Sequence, residues 1–202
     1  NTGVAISMIG AVLGINVIIV MPETMTIERR RLMKAYGAEL VLTPGSEGMQ
    51  GAVNKAKELS EELNAPIVGQ FVNPANVQAH IETTGKEILK EIPDINGFVA
   101  GIGTGGTVTG IGKVLKEANK DIVVWGVEPK SSPLLTEGKA GSHKIQGIGA
   151  NFVPEIYNPK FIDKVEQVSD EAAIENSLSL ARDYGILSGI SAGANFSAGK
   201  KL

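Results

Sequence analysis

Residues able to hold an anion are concentrated in the run Phe98-Val99-Ala100-Gly101-Ile102-Gly103-Thr104-Gly105-Gly106-Thr107. An apolar, β-branched segment leads into glycines and threonines, and a helix-forming stretch follows, so the turn joins a buried strand to a helix N-terminus. Glycines let consecutive backbone N–H groups face one phosphate, the helix end adds partial positive charge, and threonine hydroxyls add hydrogen bonds. A tight turn with glycine kept for packing accounts for the same residues. So does a dinucleotide-binding loop, because Gly101, Gly103 and Gly106 satisfy G-x-G-x-x-G and Glu128 ends the next strand where an acid would contact ribose. The threonine content and the position after several α/β units favour a phosphate monoester, which needs a tight cup with many donors.

Other residues capable of chemistry are few. His80 lies among polar residues of a helical stretch with no evident partner nearby and reads as structural or solvated. His143 stands with Lys139 and Lys144 in a small basic loop, ordinarily solvated surface. Trp125, in an apolar strand, reads as core. The acidic residues are scattered over helical faces and form no carboxylate pair.

The elements that must position the turn follow from periodicity. Short β-branched runs alternate with longer amphipathic segments, the pattern of a parallel sheet with crossover helices. Strands are expected at 17–21, 39–43, 66–70, 97–101, 122–127 and 162–168, and helices at 3–13, 26–36, 47–63, 77–92, 106–119 and 170–184. Gly37 and Gly185 stand where helices stop, Thr26 and Glu28 open a polar first turn, and Ser169-Asp170 is a capping sequence. A change of texture after Asn73-Pro74 marks a domain boundary, giving a first domain over 1–73 and a second over 74–202. Residues 130–159 read as surface loop, anchored by Ile145, Ile148 and Phe152.

Composition removes several function classes. With 43% hydrophobic and 20% charged residues the 202-residue chain is of globular type. A net charge of -3 with interspersed signs supplies no broad basic surface for nucleic acid. The absence of cysteine removes disulfides, thiolate metal sites and thiol nucleophiles, and fits a reducing compartment. Apolar runs are far shorter than the ~20 residues that cross a bilayer. The chain starts at Asn1 rather than methionine and stops at Leu202 within a helical pattern, so both ends read as cut.

Taken together, Asn1-Thr2-Gly3, Met21-Pro22-Glu23-Thr24-Met25 with Glu28-Arg29-Arg30, Gln70-Phe71 with Asn73-Pro74-Ala75-Asn76, Thr83-Thr84-Gly85, Gly103 to Thr107, Lys144 to Gly149 and Gly189-Ile190-Ser191 form an ordered set. In this set the chain resembles the cysteine synthase (O-acetylserine sulfhydrylase) branch of the fold-type II pyridoxal-phosphate enzymes, over nearly its whole length. The resemblance implies a tryptophan synthase β-like α/β fold: two three-layer domains with mostly parallel sheets and the cofactor in the cleft. It implies pyridoxal 5'-phosphate with its phosphate on Gly103, Thr104, Gly105, Gly106 and Thr107, its pyridine nitrogen on Ser191 and its ring oxygen near Asn1. Thr2 and Gln70 match residues that hold the substrate carboxylate. On the residues alone, Asn1-Thr2 and Ser191 read as helix caps and Gln70 as an ordinary polar strand end.

The implied reaction is a ping-pong β-replacement in which O-acetyl-L-serine and sulfide give L-cysteine and acetate. The family's Schiff-base lysine belongs to a motif upstream of the asparagine loop, and no lysine here matches it, so the isolated chain is expected not to turn over substrate. The resemblance further implies a cytoplasmic homodimer, and for some members binding of the acidic C-terminal tail of serine acetyltransferase near a loop like that of His143 and Lys144. Alternatives are a related β-replacement enzyme (cystathionine β-synthase-like or O-phosphoserine sulfhydrylase), a nicotinamide-dependent dehydrogenase, and a non-catalytic binding module.

Overall fold

Parallel strands joined by helices build both halves of the chain, in a computed structural model that describes residues 1–202. The division falls between Val68 and Gly69, a few residues before the change of texture at Asn73-Pro74. In the first unit, α1 (Thr2–Leu13), β1 (Ile18–Pro22), α2 (Ile27–Ala35), β2 (Glu39–Thr43) and α3 (Gly48–Leu63) follow one another, and β1 pairs in parallel with β2. Its core is small, with Met33, Ala38 and Ala52 buried. Glycines allow the close approaches there: a Cβ on Gly3 would lie 2.9 Å from Met33 Sδ, and one on Gly10 would lie 2.4 Å from Val17 Cγ2.

The second unit runs α4 (Ala75–Glu82), α5 (Thr84–Glu91), β3 (Gly97–Gly101), α6 (Gly106–Ala118), β4 (Val123–Pro129), α7 (Leu134–Glu137), β5 (Lys164–Val168), α8 (Asp170–Tyr184) and α9 (Ile190–Gly199). Its three-stranded sheet has the order β3-β4-β5, all parallel. Alternation along the strands creates two apolar clusters. Ala100 and Val124 join Ile102, Val108, Ile111 and Leu115 beside α6, whereas Val127 and Val168 join Ile145, Ile148, Ala194 and Ala198 beside α9. Val108, Leu115, Val124 and Val127 are fully buried, and each such side chain contributes about 1.5–3 kcal/mol. This double burial makes the central strand β4 read as a nearly continuous apolar run. No helix is long and apolar enough to cross a membrane.

Strands 39–43 and 97–101 and helix 170–184 fall where periodicity places them, and most other elements shift by a residue or two at their ends. Ser169 caps α8 by accepting from Ala172 N–H at 3.1 Å. Three expectations need correction. Residues 66–70 join no sheet: Ile67 and Val68 are about half exposed, and Gly69, at φ 68°, turns the chain so that Asn73 N–H reaches Gly69 O at 2.8 Å. An apolar run this short carries no information about whether a strand partner exists.

The helix expected over 77–92 is broken at Thr83, whose backbone leaves the helical region (φ -116°, ψ -85°) while its hydroxyl donates to Ala79 O at 2.7 Å. The break lets both halves press against α6 through glycines. A Cβ on Gly85 would lie 2.9 Å from Val114, and one on Gly110 would lie 2.6 Å from Val77 O.

Trp125, expected in the core, is only half-buried. It pairs in register with Lys164 of β5, whose ammonium lies 4.2 Å from the ring centroid and covers the indole face. Ile145 and Ile148 do anchor the irregular stretch after β4, and Phe152 meets Phe71 edge-on with ring centroids 4.8 Å apart.

Candidate functional site

The glycine-rich turn lies between the end of β3 and the start of α6, as its sequence requires. Gly105 is the N-cap of α6 in left-handed backbone (φ 82°), a conformation that excludes most side chains. The outer wall of the turn is closed by packing. A Cβ on Gly103 would fall 2.5 Å from Gly147 O, one on Gly105 would fall 2.8 Å from Tyr157 Cβ, and one on Gly106 would fall 2.0 Å from Asn76 Oδ1.

Hydrogen bonds fix what the threonines can offer. Thr104 Oγ1 accepts from Gly106 N–H at 3.2 Å and from Asn76 Nδ2 at 3.1 Å, and neither bond uses the hydroxyl's own proton. The same Asn76 amide donates to Gln70 O at 2.8 Å, tying Gln70 to the turn through its backbone. Gln70 therefore sits in the Gly69 turn, not at a strand end.

Thr107, in the first turn of α6, has its hydroxyl 3.2 Å from His80 Nε2, and His80 Nδ1 lies 3.0 Å from Thr84 Oγ1. This corrects the reading of His80 as a residue without a partner. Burial lowers its pKa from the ordinary histidine value, so at neutral pH the ring is uncharged.

Behind the turn runs the Lys144 to Gly149 loop. Gly149 N–H donates to Ile102 O at 2.9 Å, and His143 Nε2 donates to Gly149 O at 2.9 Å. Gly147 (φ 100°) faces Ser191, whose Oγ lies 3.9 Å from where a Cβ on Gly147 would stand. One loop thus lines both the glycine turn and Ser191. Ser191 is the second residue of α9, whose N-cap is Gly189, so its hydroxyl does not serve as the cap. His143 holds this loop by a backbone bond and is half-buried, not simply solvated. Lys139 lies 3.3 Å from Glu137, and the loop's positive charge is partly offset there.

Glu128, the acid of the dinucleotide pattern, is 2% exposed and engaged elsewhere. Its Oε2 accepts from Leu135 N–H at 2.8 Å, while Oε1 accepts from Thr136 N–H at 3.1 Å and from the Thr136 hydroxyl. It holds the short helix α7 onto the end of β4. Tyr157, backing Gly105, has its pKa raised by burial and secondarily by the Glu128 charge, so it remains a neutral phenol.

Asn1 and Thr2 belong to the first unit. Asn1 takes the N-cap position of α1 without a side-chain capping bond, and its carbonyl accepts from Ala5 N–H at 3.0 Å; Thr2 is the first helical residue, and both are exposed. The second unit gathers Gln70, the Gly103–Thr107 turn and, behind it, Ser191. Residue-by-residue reading passed over Asn76 and His80 as members of this arrangement. A signal existed for Asn76: an asparagine inside a helix's first turn is a weak helix former and usually bonds outward. For His80 only its place two helical turns after a proline was visible, which says nothing of a contact with Thr107.

Comparisons with known proteins identify the family. The family model described as pyridoxal-phosphate dependent enzyme matches residues 1–202. A cysteine synthase of Staphylococcus aureus is 49% identical over 196 residues, covering 96% of this chain and 63% of the relative. The crystal structure of cysteine synthase (OASS) from Entamoeba histolytica superposes with a TM-score of 0.94 at 40% identity, covering 100% of this chain and 60% of that one. An O-acetylserine-dependent cystathionine β-synthase from Helicobacter pylori gives a TM-score of 0.94 at 39% identity, covering 100% and 67%. The chain belongs to the pyridoxal-phosphate dependent enzyme family, with the fold-type II architecture of α/β units and parallel sheets. It spans about 63% of the length of the Staphylococcus relative.

The family's cofactor suits the residues present. A phosphate monoester dianion needs donors and no facing carboxylate. The turn supplies backbone N–H groups of the first turn of α6 beyond that of Gly106, a Thr104 hydroxyl whose accepted bonds leave its proton unspent, and the Thr107 hydroxyl.

Proposed function

We propose that this chain is the cofactor-holding part of a cysteine synthase, which replaces the acetoxy group of O-acetyl-L-serine by sulfide to give L-cysteine and acetate. In this reaction the Cβ–O bond breaks and a Cβ–S bond forms. The observation that carries the reading is the donor set of the Gly103–Thr107 turn, lined by the same loop that lines Ser191. The 49% identity with the Staphylococcus cysteine synthase supports it from outside.

The residue roles follow from chemistry. Gly103, Thr104, Gly105, Gly106 and Thr107 hold the cofactor phosphate. The bound cofactor supplies an electron sink for loss of the substrate's α-proton. Ser191 faces the pyridine nitrogen with a neutral hydroxyl, which keeps that sink moderate, enough when acetate leaves easily from the adjacent carbon. Asn1 meets the ring oxygen, and Thr2 and Gln70 bind the substrate carboxylate. No lysine here matches the family's Schiff-base lysine, and cysteine formation by the isolated chain would contradict that assignment.

The setting we infer is a cytoplasmic homodimer. The His143–Lys144 loop is the surface where an acidic acetyltransferase tail would dock; unchanged tail affinity after Lys144→Ala would remove that assignment. A second reading is favoured by the Helicobacter likeness: the same site using homocysteine in place of sulfide. The dehydrogenase reading loses its support because Glu128 is occupied in holding α7.

The deciding experiment is the visible absorption spectrum of the intact protein, with O-acetylserine and then sulfide. A cofactor band that shifts with the first and returns with the second supports cysteine synthesis. Return with homocysteine but not sulfide selects the second reading, and a colourless protein that binds a dinucleotide overturns both.

A further inference from the structure

The two ring nitrogens of His80 face two hydroxyls, Thr84 Oγ1 at 3.0 Å from Nδ1 and Thr107 Oγ1 at 3.2 Å from Nε2. A neutral imidazole has one N–H and one lone pair, so each contact must run in a definite direction. If Nε2 accepted, the Thr107 hydroxyl would spend its proton on His80 and could offer an anion in the turn only its lone pairs. If Nε2–H donates, the Thr107 proton is free for the anion.

The distances around Thr84 favour one direction. Its neighbour Thr83 spends its own proton on Ala79 O at 2.7 Å, and the Thr83–Thr84 oxygen separation is 3.5 Å. With its proton spent, Thr83 Oγ1 can only accept, but at 3.5 Å it is a poorer acceptor for the Thr84 hydroxyl than His80 Nδ1 at 3.0 Å, which favours donation from Thr84 to Nδ1 and the ring proton on Nε2. Burial keeps the ring uncharged, so the tautomer and not the charge carries the effect. The helix break at Thr83 sets Thr84 at the first position of α5, within reach of the ring.

We propose that His80 is a positioning residue for phosphate binding: held as the Nε2–H tautomer by Thr84, it donates to Thr107 Oγ1 and so commits the Thr107 hydroxyl proton to the cofactor phosphate. The inference rests on the pyridoxal-phosphate reading of the turn. It adds a residue outside the glycine loop, and a polarity along Thr84, His80 and Thr107 that makes the last hydroxyl a donor.

The test uses the intact protein stripped of cofactor, with the dissociation constant of pyridoxal phosphate and the 31P shift of the bound phosphate as readouts. His80→Leu removes the donor to Thr107, and the expected result is roughly tenfold weaker binding, the scale of one hydrogen bond to a charged group, with a moved 31P resonance. His80→Gln, whose amide can donate, restores most of the affinity. In a Thr107→Val background His80→Leu causes no further loss, because its effect passes through the missing hydroxyl.

A 15N spectrum of the wild-type histidine side chains should show His80 protonated at Nε2 and bare at Nδ1. Wild-type affinity in His80→Leu, losses that multiply in the double variant, or a proton on Nδ1 would overturn the proposal while leaving the cofactor assignment intact. Failure of the wild-type protein to bind pyridoxal phosphate would overturn both.

Discussion

Replacing Glu128 by glutamine tests a buried polar contact set outside the turn. The side chain is 2% exposed, and both oxygens accept: Oε2 from Leu135 N–H at 2.8 Å, Oε1 from Thr136 N–H at 3.1 Å and from the Thr136 hydroxyl. Glutamine keeps the shape but turns one oxygen into an NH2 donor. Whichever way the amide is placed, that donor confronts a backbone N–H, so at least one charge-assisted bond is lost and the remainder become bonds to a neutral acceptor. A hydrogen bond to a charged group contributes about 1.5–3 kcal/mol, and the orphaned N–H adds a desolvation cost. The expected destabilisation is about 2–4 kcal/mol, a large share of the roughly 5–15 kcal/mol that holds a typical domain.

The assay is urea unfolding of the intact protein followed by far-UV circular dichroism, with a lowered midpoint and an unchanged slope. Glu128→Ala should fall further, since it orphans all three donors. A Glu128→Gln midpoint within about 0.5 kcal/mol of the parent would refute the argument that these bonds hold α7. A parent-like midpoint combined with lost dinucleotide binding would restore the ribose-contact reading.

Two further outcomes follow from the geometry. Gly106→Ala puts a methyl 2.0 Å from Asn76 Oδ1, so Asn76 must leave Thr104 and Gln70 O; pyridoxal-phosphate affinity should fall at least tenfold, and an unchanged dissociation constant would contradict the packing of the turn. Asp163 is pushed up by burial, but Lys116 Nζ at 2.7 Å and the Val124 N–H at 2.7 Å outweigh that and hold its pKa below the ordinary aspartate value. A depressed carboxyl pKa gives stability that is complete above the unfolded value and is lost as pH falls through the folded one. Asp163→Asn should therefore flatten the decline of the urea midpoint between neutral pH and pH ~3, and an equal decline in both proteins would show that the carboxylate contributes nothing.

How much of this was legible in the sequence depended on the range of the interaction. The 97–101 strand, the following turn and the 106–118 helix were readable because β-branched runs, glycines and helical periodicity act over a few residues, and so was the cap at Ser169. The family could be named because separated motifs stand in order along the chain. The packing that gives those motifs their geometry was not readable. Ile67 and Val68 look like a strand, yet a ladder needs a neighbour that local sequence does not announce.

Trp125 looks like core until β5 sets Lys164 beside it, and Glu128 looks like a ribose ligand until α7 returns its N–H groups to the carboxylate. His80 had no visible partner because Thr107 is distant in sequence and meets it only where α4 crosses α6 at Gly110. Residue type thus fixed which groups could bind a phosphate. Tertiary packing decided which of their protons remain to do so, because a hydroxyl's donor capacity depends on the neighbours that already claim its lone pairs and its hydrogen.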